Sequence, residues 1–531
     1  MLTDLRHLRR LFAIGRCFAR HDALFVLRDA PLGASARGAL ALFQAVFGRK
    51  RPGLRPGERL ANALSELGPS FIKLGQVLSV RPDLIGAALA EDLGRLRDRL
   101  PPFPAKLAER TIEAEFGRPL ASLFSAFDRE PVAAASIAQV HFAETAGDGQ
   151  AGDEQSGGQP ASVAVKILRP GVEAAFARDL ELFAWLADNA ERRLPGMDRL
   201  RPRDVVATLR DWVAIELDLR LEAAAASELR DNFRDDPDVV VPAIDWQRTA
   251  RRVLTVQRIS GIPIEDRAAL QDAGIDLSTV AERVIRLFLK QALRDGYFHA
   301  DMHHGNLFVA PDGRIEMVDF GIMGRLDLGT RRFMAEMLGA FLSGNWRRAA
   351  EVHFEAGYVP ADRSVDLFAQ ACRSIGEPIL DRPMTEISIG RLLAQLFQIT
   401  ETFGMRTQPH LLLLQKTMVT VEGVARSLDP DINFWEAARP VIEDWAGRNM
   451  GPEARLREIA GNLTETARRL PQIARGFEAL AGSLQADGLR LSDGSLRELA
   501  KIQTRARRPL LLALWTIAAL LAAGLLLGLS Q

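Results

Sequence analysis

The chain has 531 residues, enough for more than one domain or for one large two-lobed domain. Lys+Arg and Asp+Glu are equal at 68 each, so no global field points to nucleic acid, and none is expected as a partner. The two cysteines, Cys17 and Cys372, stand far apart in no ligand spacing; this excludes a disulfide framework and reads as two buried thiols of a reducing compartment. Arginines interrupt the first thirty residues throughout, against a signal peptide.

Residues 1–60 read as helix, with Leu5, Leu8, Leu11 and Phe12 on one face and Arg6, Arg9 and Arg10 elsewhere. Such a basic amphipathic helix either lies on a membrane surface or docks on its own protein, and docking is the commoner case. A Pro/Gly-rich break, Arg51–Gly57, separates it from the stretch Leu67–Asp83. There Phe71, Leu74 and Leu78 form a helical apolar set. Lys73 lies off that set with no carboxylate at i+3 or i+4, and local physics reads it as a solvated lysine.

Between about 120 and 170 the period changes from helix to strand. Ala133-Ala134-Ala135-Ser136 leads into Ile137–Phe142, and Val163-Ala164-Val165-Lys166-Ile167-Leu168 forms a further strand after a polar tip, Gly147–Gly158. Strand, small-residue loop, strand and V-A-V-K is the layout of a kinase nucleotide lobe, whose strand lysine holds the α- and β-phosphates. Alanine stands where that loop ordinarily has glycine, so the loop is expected to be stiffer, because alanine resists φ > 0.

Residues 173–235 read as helical and contain Glu216, Asp218 and Glu222. A kinase lysine needs a helix glutamate beside it; Glu216 and Glu222 are both candidates, and periodicity does not choose between them. On one continuous helix Asp218 and Glu222 would share a face, at i and i+4. Strands follow at Val239–Val241 and Val253–Val256, the second running into Gln257–Gly261 as a strand-to-hinge passage.

The stretch His299–Gly321 carries the chemistry. Leu307–Val309 and Ile315–Val318 flank a Pro-Asp-Gly turn and read as a hairpin, which brings the loop of Asp301 and Asn306 back beside Asp319-Phe320-Gly321. One carboxylate to orient the attacking oxygen, with an amide oxygen and a second carboxylate to hold Mg²⁺, is what phosphoryl transfer requires. His299, His303 and His304 do not make a zinc helix, since the Glu of H-E-x-x-H is missing and Gly305-Asn306 breaks the helix.

Helices are expected over Arg331–Phe341, Ile389–Phe403 and His410–Ser427, followed by a polar stretch at about 452–500. Residues 509–529 carry no charge over 21 positions, enough to span a bilayer core of about 30 Å at about 1.5 Å per residue. Lys501, Arg505, Arg507 and Arg508 precede the segment, which orients the domain before it toward the cytoplasm.

KLGQ at Lys73–Gln76, AAAS at Ala133–Ser136, VAVK ending at Lys166, ELDLRLE at Glu216–Glu222, HADMHHGN at His299–Asn306 and DFG at Asp319–Gly321 resemble, in order, the motifs of the UbiB family of atypical kinases, which support ubiquinone biosynthesis. The resemblance covers about residues 60–330. The family loop usually reads HADPHPGN; Met302 and His304 replace its two prolines here, which is expected to loosen the loop. The resemblance implies ATP and Mg²⁺ as cofactors. ATP would lie against Val132, Ala133, Ala134, Ala135, Ser136, Ile137, Ala138, Gln139, Val140, Lys166 and Glu222. Asp301 would be the catalytic base, Asn306 and Asp319 the metal ligands, and Lys73, Gln76, Glu216 and Asp218 would lie over the site where a protein kinase admits its peptide.

Membrane lipids or polyprenyl quinone intermediates, and the enzymes of ubiquinone biosynthesis, are the implied partners; a homodimer is left open. The expected architecture is α+β, an atypical protein-kinase-like two-lobed fold with an N-terminal helical extension and one C-terminal transmembrane helix. It divides into 1–115 with the KxGQ motif, an N-lobe over 116–260 with inserted helices and the ExD motif, a helical C-lobe over 261–450 with the catalytic and DFG loops, a linker over 451–508 and an anchor over 509–529. The expected location is the inner (cytoplasmic) membrane, with the catalytic domain facing the cytoplasm. The expected activity is ATP hydrolysis or γ-phosphoryl transfer, with a true protein or small-molecule kinase and a nucleotide-binding scaffold as rivals.

Overall fold

Alternation of apolar residues builds the first sheet. Strands β1 (Phe124–Phe127), β2 (Ala133–Ala134), β3 (Ala138–Thr145), β4 (Ser162–Leu168) and β6 (Val253–Gln257) form an antiparallel sheet in the order β1-β3-β4-β6, with β2 also on β3. On β4 the odd-numbered Val163, Val165 and Ile167 turn inward and pack with Phe103, Ala108, Ile112, Leu123, Phe124, Ala143 and Val253. The even-numbered side of β4, with Lys166, faces the cleft. Cross-strand register sets Val140 and Leu254 beside Lys166 on that face. In the computed structural model, residues 2–27, 34–49, 53–79, 85–94, 100–147, 160–193, 202–378, 399, 402–405 and 409–449 are described, all within the unit Met1–Asn449.

The helices in chain order are α1 (Leu2–Arg20), α2 (Ala34–Phe47), α3 (Pro56–Leu67), α4 (Pro69–Ser79), α5 (Ala87–Gly94), α6 (Ala105–Phe116), α7 (Leu120–Leu123), α8 (Val172–Arg193), α9 (Pro202–Glu216) and α10 (Leu219–Asn232). The second lobe adds α11 (Arg267–Asp272), α12 (Leu277–Leu289), α13 (Leu328–Leu342), α14 (Trp346–Glu355), α15 (Val365–Gly376), α16 (Pro409–Leu428) and α17 (Phe434–Asn449). Short polar residues cap several of their N-termini: Asp276 accepts from Thr279 N–H, Asp327 from Thr330 N–H and Ser364 from Leu367 N–H. Helix α1 docks, as its commoner reading expected. Arg10 grips Asp179 of α8 with two bonds of 3.0 Å, and Cys17 and Ala19 are buried.

The second lobe holds β5 (Val239–Val240), β7 (Ile262–Pro263), β8 (Tyr297–His299), β9 (Leu307–Val309), β10 (Ile315–Met317) and β11 (Met323–Arg325). The expected hairpin is β9–β10, antiparallel with Leu307 opposite Met317. β8 pairs with β11, placing His299 opposite Met323, so the loops before and after the hairpin are tied at both ends. Between α12 and β8 the chain winds through a π-helical turn, Lys290–Asp295. Its fully buried Gln291 accepts from His299 N–H at 2.8 Å and aims its amide at the sulfurs of Met302 and Met317.

The kinase-like α+β arrangement stands, but the membrane part of the expectation does not. Among the described residues no helix is long and apolar enough to cross a membrane, which leaves the expected transmembrane helix and the inner-membrane location built on it without support in the structure. The long helices are charged: α1 carries Arg6, Arg9, Arg10, Arg16 and Arg20, and α16 carries Lys416, Glu422 and Arg426. The span expected at 509–529, the linker at 451–508, most of the helix expected at Ile389–Phe403 and all but Gly147 of the polar tip lie outside the described residues.

The β8–β11 pair leaves no room at Gly324. A Cβ there would meet the Phe298 ring at 2.2 Å, and Phe298 is fully buried. Gly324→Ala is therefore expected to lower folding stability by about 1–3 kcal/mol through overpacking; an unchanged denaturant midpoint would show that the two strands separate readily.

Candidate functional site

Lys166 stands at the centre of the cleft and is held from both lobes. Its Nζ donates to Glu222 Oε1 at 2.7 Å and Oε2 at 2.9 Å, and to Asp319 Oδ1 at 2.9 Å. Of the two helix glutamates, then, Glu222 is the partner of Lys166. Glu216 instead pairs with Lys73, and both of those side chains are nearly buried. Lys73 is thus no solvated lysine: its carboxylate comes from α9, far beyond i+4 in the sequence.

The two glutamates diverge because the helix breaks between them. Asp218 is the N-cap of α10, in extended conformation, accepting from Arg220 N–H while its carboxylate also takes the Arg220 guanidinium. Asp218 and Glu222 therefore do not share one helical face. Residue 217 closes α9 by bonding back to Val213, and Leu219 N–H turns to Arg251 O. Gln76, one turn after Lys73, is half-buried.

One ammonium between two carboxylates splits their protonation. Burial, with the Asp319 and Glu216 charges adding to it, pushes the Glu222 carboxyl up to about 7 against the pull of Lys166. Asp319 also feels burial, but the charge and hydrogen bond of Lys166, with the charge of Lys73 adding, hold it well below the usual carboxylate range. Those carboxylates in turn keep Lys166 protonated, raising it against its own burial. Asp319 sits at φ 61, one of two described non-glycine residues at positive φ, a region that Asp tolerates better than most side chains.

The loop before β9 is bound to the loop after β10. Asp301 N–H donates to His299 Nδ1 at 3.1 Å, and the His299 Nε2 side faces Val318 O at 3.2 Å. Accepting at Nδ1 leaves the ring proton on Nε2, so His299 is neutral, and burial lowers its pKa further. Val318 N–H donates to Asn306 O at 3.0 Å, and Asn306 Nδ2 donates to Asp301 O at 3.0 Å. That bond orients the amide and leaves Asn306 Oδ1 for another partner. The two residues that replace prolines do not leave the loop loose. Met302 is fully buried against Gln291, and His304 pairs through Nε2 with Ser427 Oγ on α16 at 2.8 Å.

The alanine-rich loop keeps every residue from Val132 to Val140 out of positive φ. Ala135 N–H closes on Ala138 O at 2.8 Å, and Arg169 braces three successive carbonyls: Nη2 to Ala135 O at 3.1 Å, Nε to Ser136 O at 3.3 Å and its own N–H to Ile137 O at 2.7 Å. Sequence reasoning missed Arg169, although its place just after the lysine strand was a usable signal. Not every residue of the loop faces Lys166. Ala138 and Val140 share its face, whereas Ser136 is fully buried and Gln139 pairs its amide with Phe103 N–H and O at 2.9 and 3.2 Å. Ile137 is also buried, Ala133 and Val132 are exposed, and Ala134 and Ala135 are half-buried.

Outside the cleft, Cys17, His21 and Glu66 bring one ligand atom each within 4.8 Å of one another, a cluster no spacing announced. Each has a protein partner already: Cys17 Sγ–H donates to Ala63 O, His21 meets Glu66, and Glu66 also takes Arg20.

A strand lysine paired with a helix glutamate, facing an Asp-x4-Asn loop tied to an Asp-Phe-Gly loop, defines a protein-kinase-like domain of atypical type. Residues 95–353 match the ABC1 atypical kinase-like domain and residues 372–433 the UbiB helical domain. A probable protein kinase UbiB of Marinobacter nauticus is 40% identical over 475 residues, covering 88% of this chain and 84% of that protein. Those of Xanthomonas axonopodis pv. citri and Aeromonas hydrophila are 42% and 41% identical over 79% and 80% of this chain and 75% and 76% of theirs. The chain belongs to the UbiB family of atypical kinases.

The split between Glu222 and Asp319 has a pH signature. The folded pKa of Glu222 lies above its unfolded value, so its contribution to stability is full below the unfolded pKa of about 4.5 and is lost as pH rises through about 7. Wild type is expected to lose stability relative to Glu222→Gln between pH about 5 and about 8, read by denaturation at each pH. A difference independent of pH would show that Glu222 is ionised throughout.

Proposed function

We propose that this chain is an ATP- and Mg²⁺-dependent kinase or ATPase that serves ubiquinone biosynthesis, with Asp301 as the base and Asn306 and Asp319 as metal ligands. The observation that carries the reading is Lys166 bonded at once to Glu222 and Asp319 from opposite sides of the cleft. A lysine so placed would hold α- and β-phosphates, and Asp319 beside it would be one of the residues to hold the metal. The donor set suits the cation: a freed amide oxygen on Asn306 and a half-exposed carboxylate on Asp319, both hard oxygens with no thiolate among them. Bound there, Mg²⁺ would neutralise phosphate charge and fix the direction of the γ-phosphoryl group.

The protein's own groups do the rest. Asp301 would orient a water or acceptor hydroxyl and take its proton, its backbone fixed by His299 and Asn306. The loop Val132–Val140, braced by Arg169, would lie over the nucleotide through Ala138, Val140 and backbone groups. Asp301, Asn306 and Asp319 are all present, which favours turnover over a nucleotide-binding scaffold. The buried Lys73–Glu216 pair lies close enough to lower Asp319 and raise Glu222 electrostatically, and family membership would set it over the side of the cleft where a protein kinase admits its peptide. That favours water or a small acceptor over a protein substrate. Polyprenyl quinone intermediates, or the enzymes that process them, are the partners this reading assigns to the turnover, on the strength of family membership.

Asp319→Asn preserves the tolerance for positive φ but removes the anionic oxygen. It is expected to weaken Mg²⁺-dependent ATP binding by roughly tenfold or more, at least about 1.4 kcal/mol, with the fold retained. Calorimetry with and without Mg²⁺, beside a phosphate-release assay, measures this; unchanged Mg-ATP affinity would remove Asp319 from the metal site.

A further inference from the structure

Lys416 lies outside the ABC1 match, on α16 within the UbiB helical-domain match. Its ammonium nevertheless stands 3.8 Å from Asp301 Oδ1. The placement is enforced by neighbours. Thr417, fully buried, shares its hydroxyl proton between Leu413 O of its own helix at 2.8 Å and Ala300 O at 3.1 Å, and Ser427 near the end of the same helix holds His304. Two bonds thus dock α16 onto the residues on either side of Asp301.

At 3.8 Å the contact is an ion pair too long for an ordinary hydrogen bond, and 40% of the Lys416 side chain is open. The other carboxylate oxygen of Asp301 faces His303 Nε2 at 3.6 Å. That ring accepts Gly305 N–H at Nδ1. Lys416 is therefore the one permanent cation within 4 Å of Asp301 among the described residues. The remaining lysines of the cleft already face carboxylates: Lys166 faces Glu222 and Asp319, and Lys73 faces Glu216. A polyphosphate entering among these acids meets, on the Asp301 side, Lys416, whose ion pair with Asp301 is longer than those of Lys166 and Lys73.

We propose that Lys416 is a catalytic residue of the phosphoryl-transfer site, contacting the γ-phosphoryl group beside Asp301. The proposal deepens the reading above and rests on Asp301 being the base. In the step, the bond from the γ-phosphorus to the β,γ-bridging oxygen breaks and ADP leaves with that electron pair. The oxygen of water or of an acceptor hydroxyl bonds to phosphorus, and its proton passes to Asp301. As Asp301 is neutralised it loses its hold on Lys416, whose ammonium, unchanged in protonation, meets the phosphoryl oxygens where charge is gathered. The site is then completed by the helical domain and is not contained in the ABC1 domain alone.

The test uses the full chain with Lys416→Met, which keeps length without charge, and Lys416→Arg, with Asp301→Asn as a reference. Phosphate release at saturating Mg-ATP is expected to fall on the order of 10- to 1000-fold in Lys416→Met and to recover in part in Lys416→Arg. Mg-ADP affinity is expected to stay within about threefold, while the extra tightening produced by aluminium fluoride, a mimic of the transferring phosphoryl group, is lost. Wild-type turnover and aluminium fluoride affinity in Lys416→Met, with Asp301→Asn inactive, would overturn the role of Lys416 and leave the reading of the site intact. Loss of Mg-ADP affinity and of stability together, without rescue by arginine, would make Lys416 structural and also overturn it. A wild-type chain with no Mg²⁺-dependent phosphate release would overturn both.

Discussion

Lys166 has one positive charge and two carboxylates to share it. Glu222 reaches it from α10 of the first lobe and Asp319 from the loop after β10 of the second, so the two lobes meet at a single ammonium. Removing the lysine leaves the buried Glu222 carboxyl without its cation, a costly change in a protein interior, whereas Lys166 keeps one carboxylate when the other is removed. The left-handed backbone at Asp319, the helix break at Asp218 and the inward parity of β4 all serve to bring these three side chains together. A phosphate group competing with Asp319 for Lys166 would relieve this arrangement.

The second dependence is on the loop His299–Asn306. Proline would restrict such a loop through φ; here side chains do the same work. Met302 sinks against Gln291, His304 reaches Ser427, and the buried His299 links Asp301 N–H to Val318 O. The loop is thereby anchored to the π-helical turn, to α16 and to the strand leading into Asp319. Helix α16 belongs to the helical domain, so the geometry around Asp301 depends on residues more than a hundred positions away.

Much of this was legible where the signal is local. Strand parity placed Lys166, the Pro-Asp-Gly turn gave the β9–β10 hairpin, and the hairpin brought Asp301, Asn306 and Asp319 together. What could not be read was set by tertiary contact. Lys73 lacked a neighbour at i+3 or i+4 because its carboxylate, Glu216, lies on another helix. The single helix expected over Glu216–Glu222 overlooked that Asp218 is a strong N-cap residue, which decides where Glu216 and Glu222 point. Gln139 was assigned to the nucleotide with its whole loop, although the parity that put Val140 beside Lys166 already turned Gln139 the other way. Lys416 carried no motif at all; only the docking of α16 reveals it.

The central claim is that nucleotide phosphates enter at Lys166 and that the metal binds between Asn306 and Asp319. Crystals of the chain grown with Mn²⁺ and a non-hydrolysable ATP analogue test it directly. The account predicts an anomalous peak in contact with Asn306 Oδ1 and the Asp319 carboxylate, with phosphate oxygens against Lys166 in place of Asp319. Nucleotide bound with Lys166 still on Asp319, or metal held away from both Asn306 and Asp319, would contradict it.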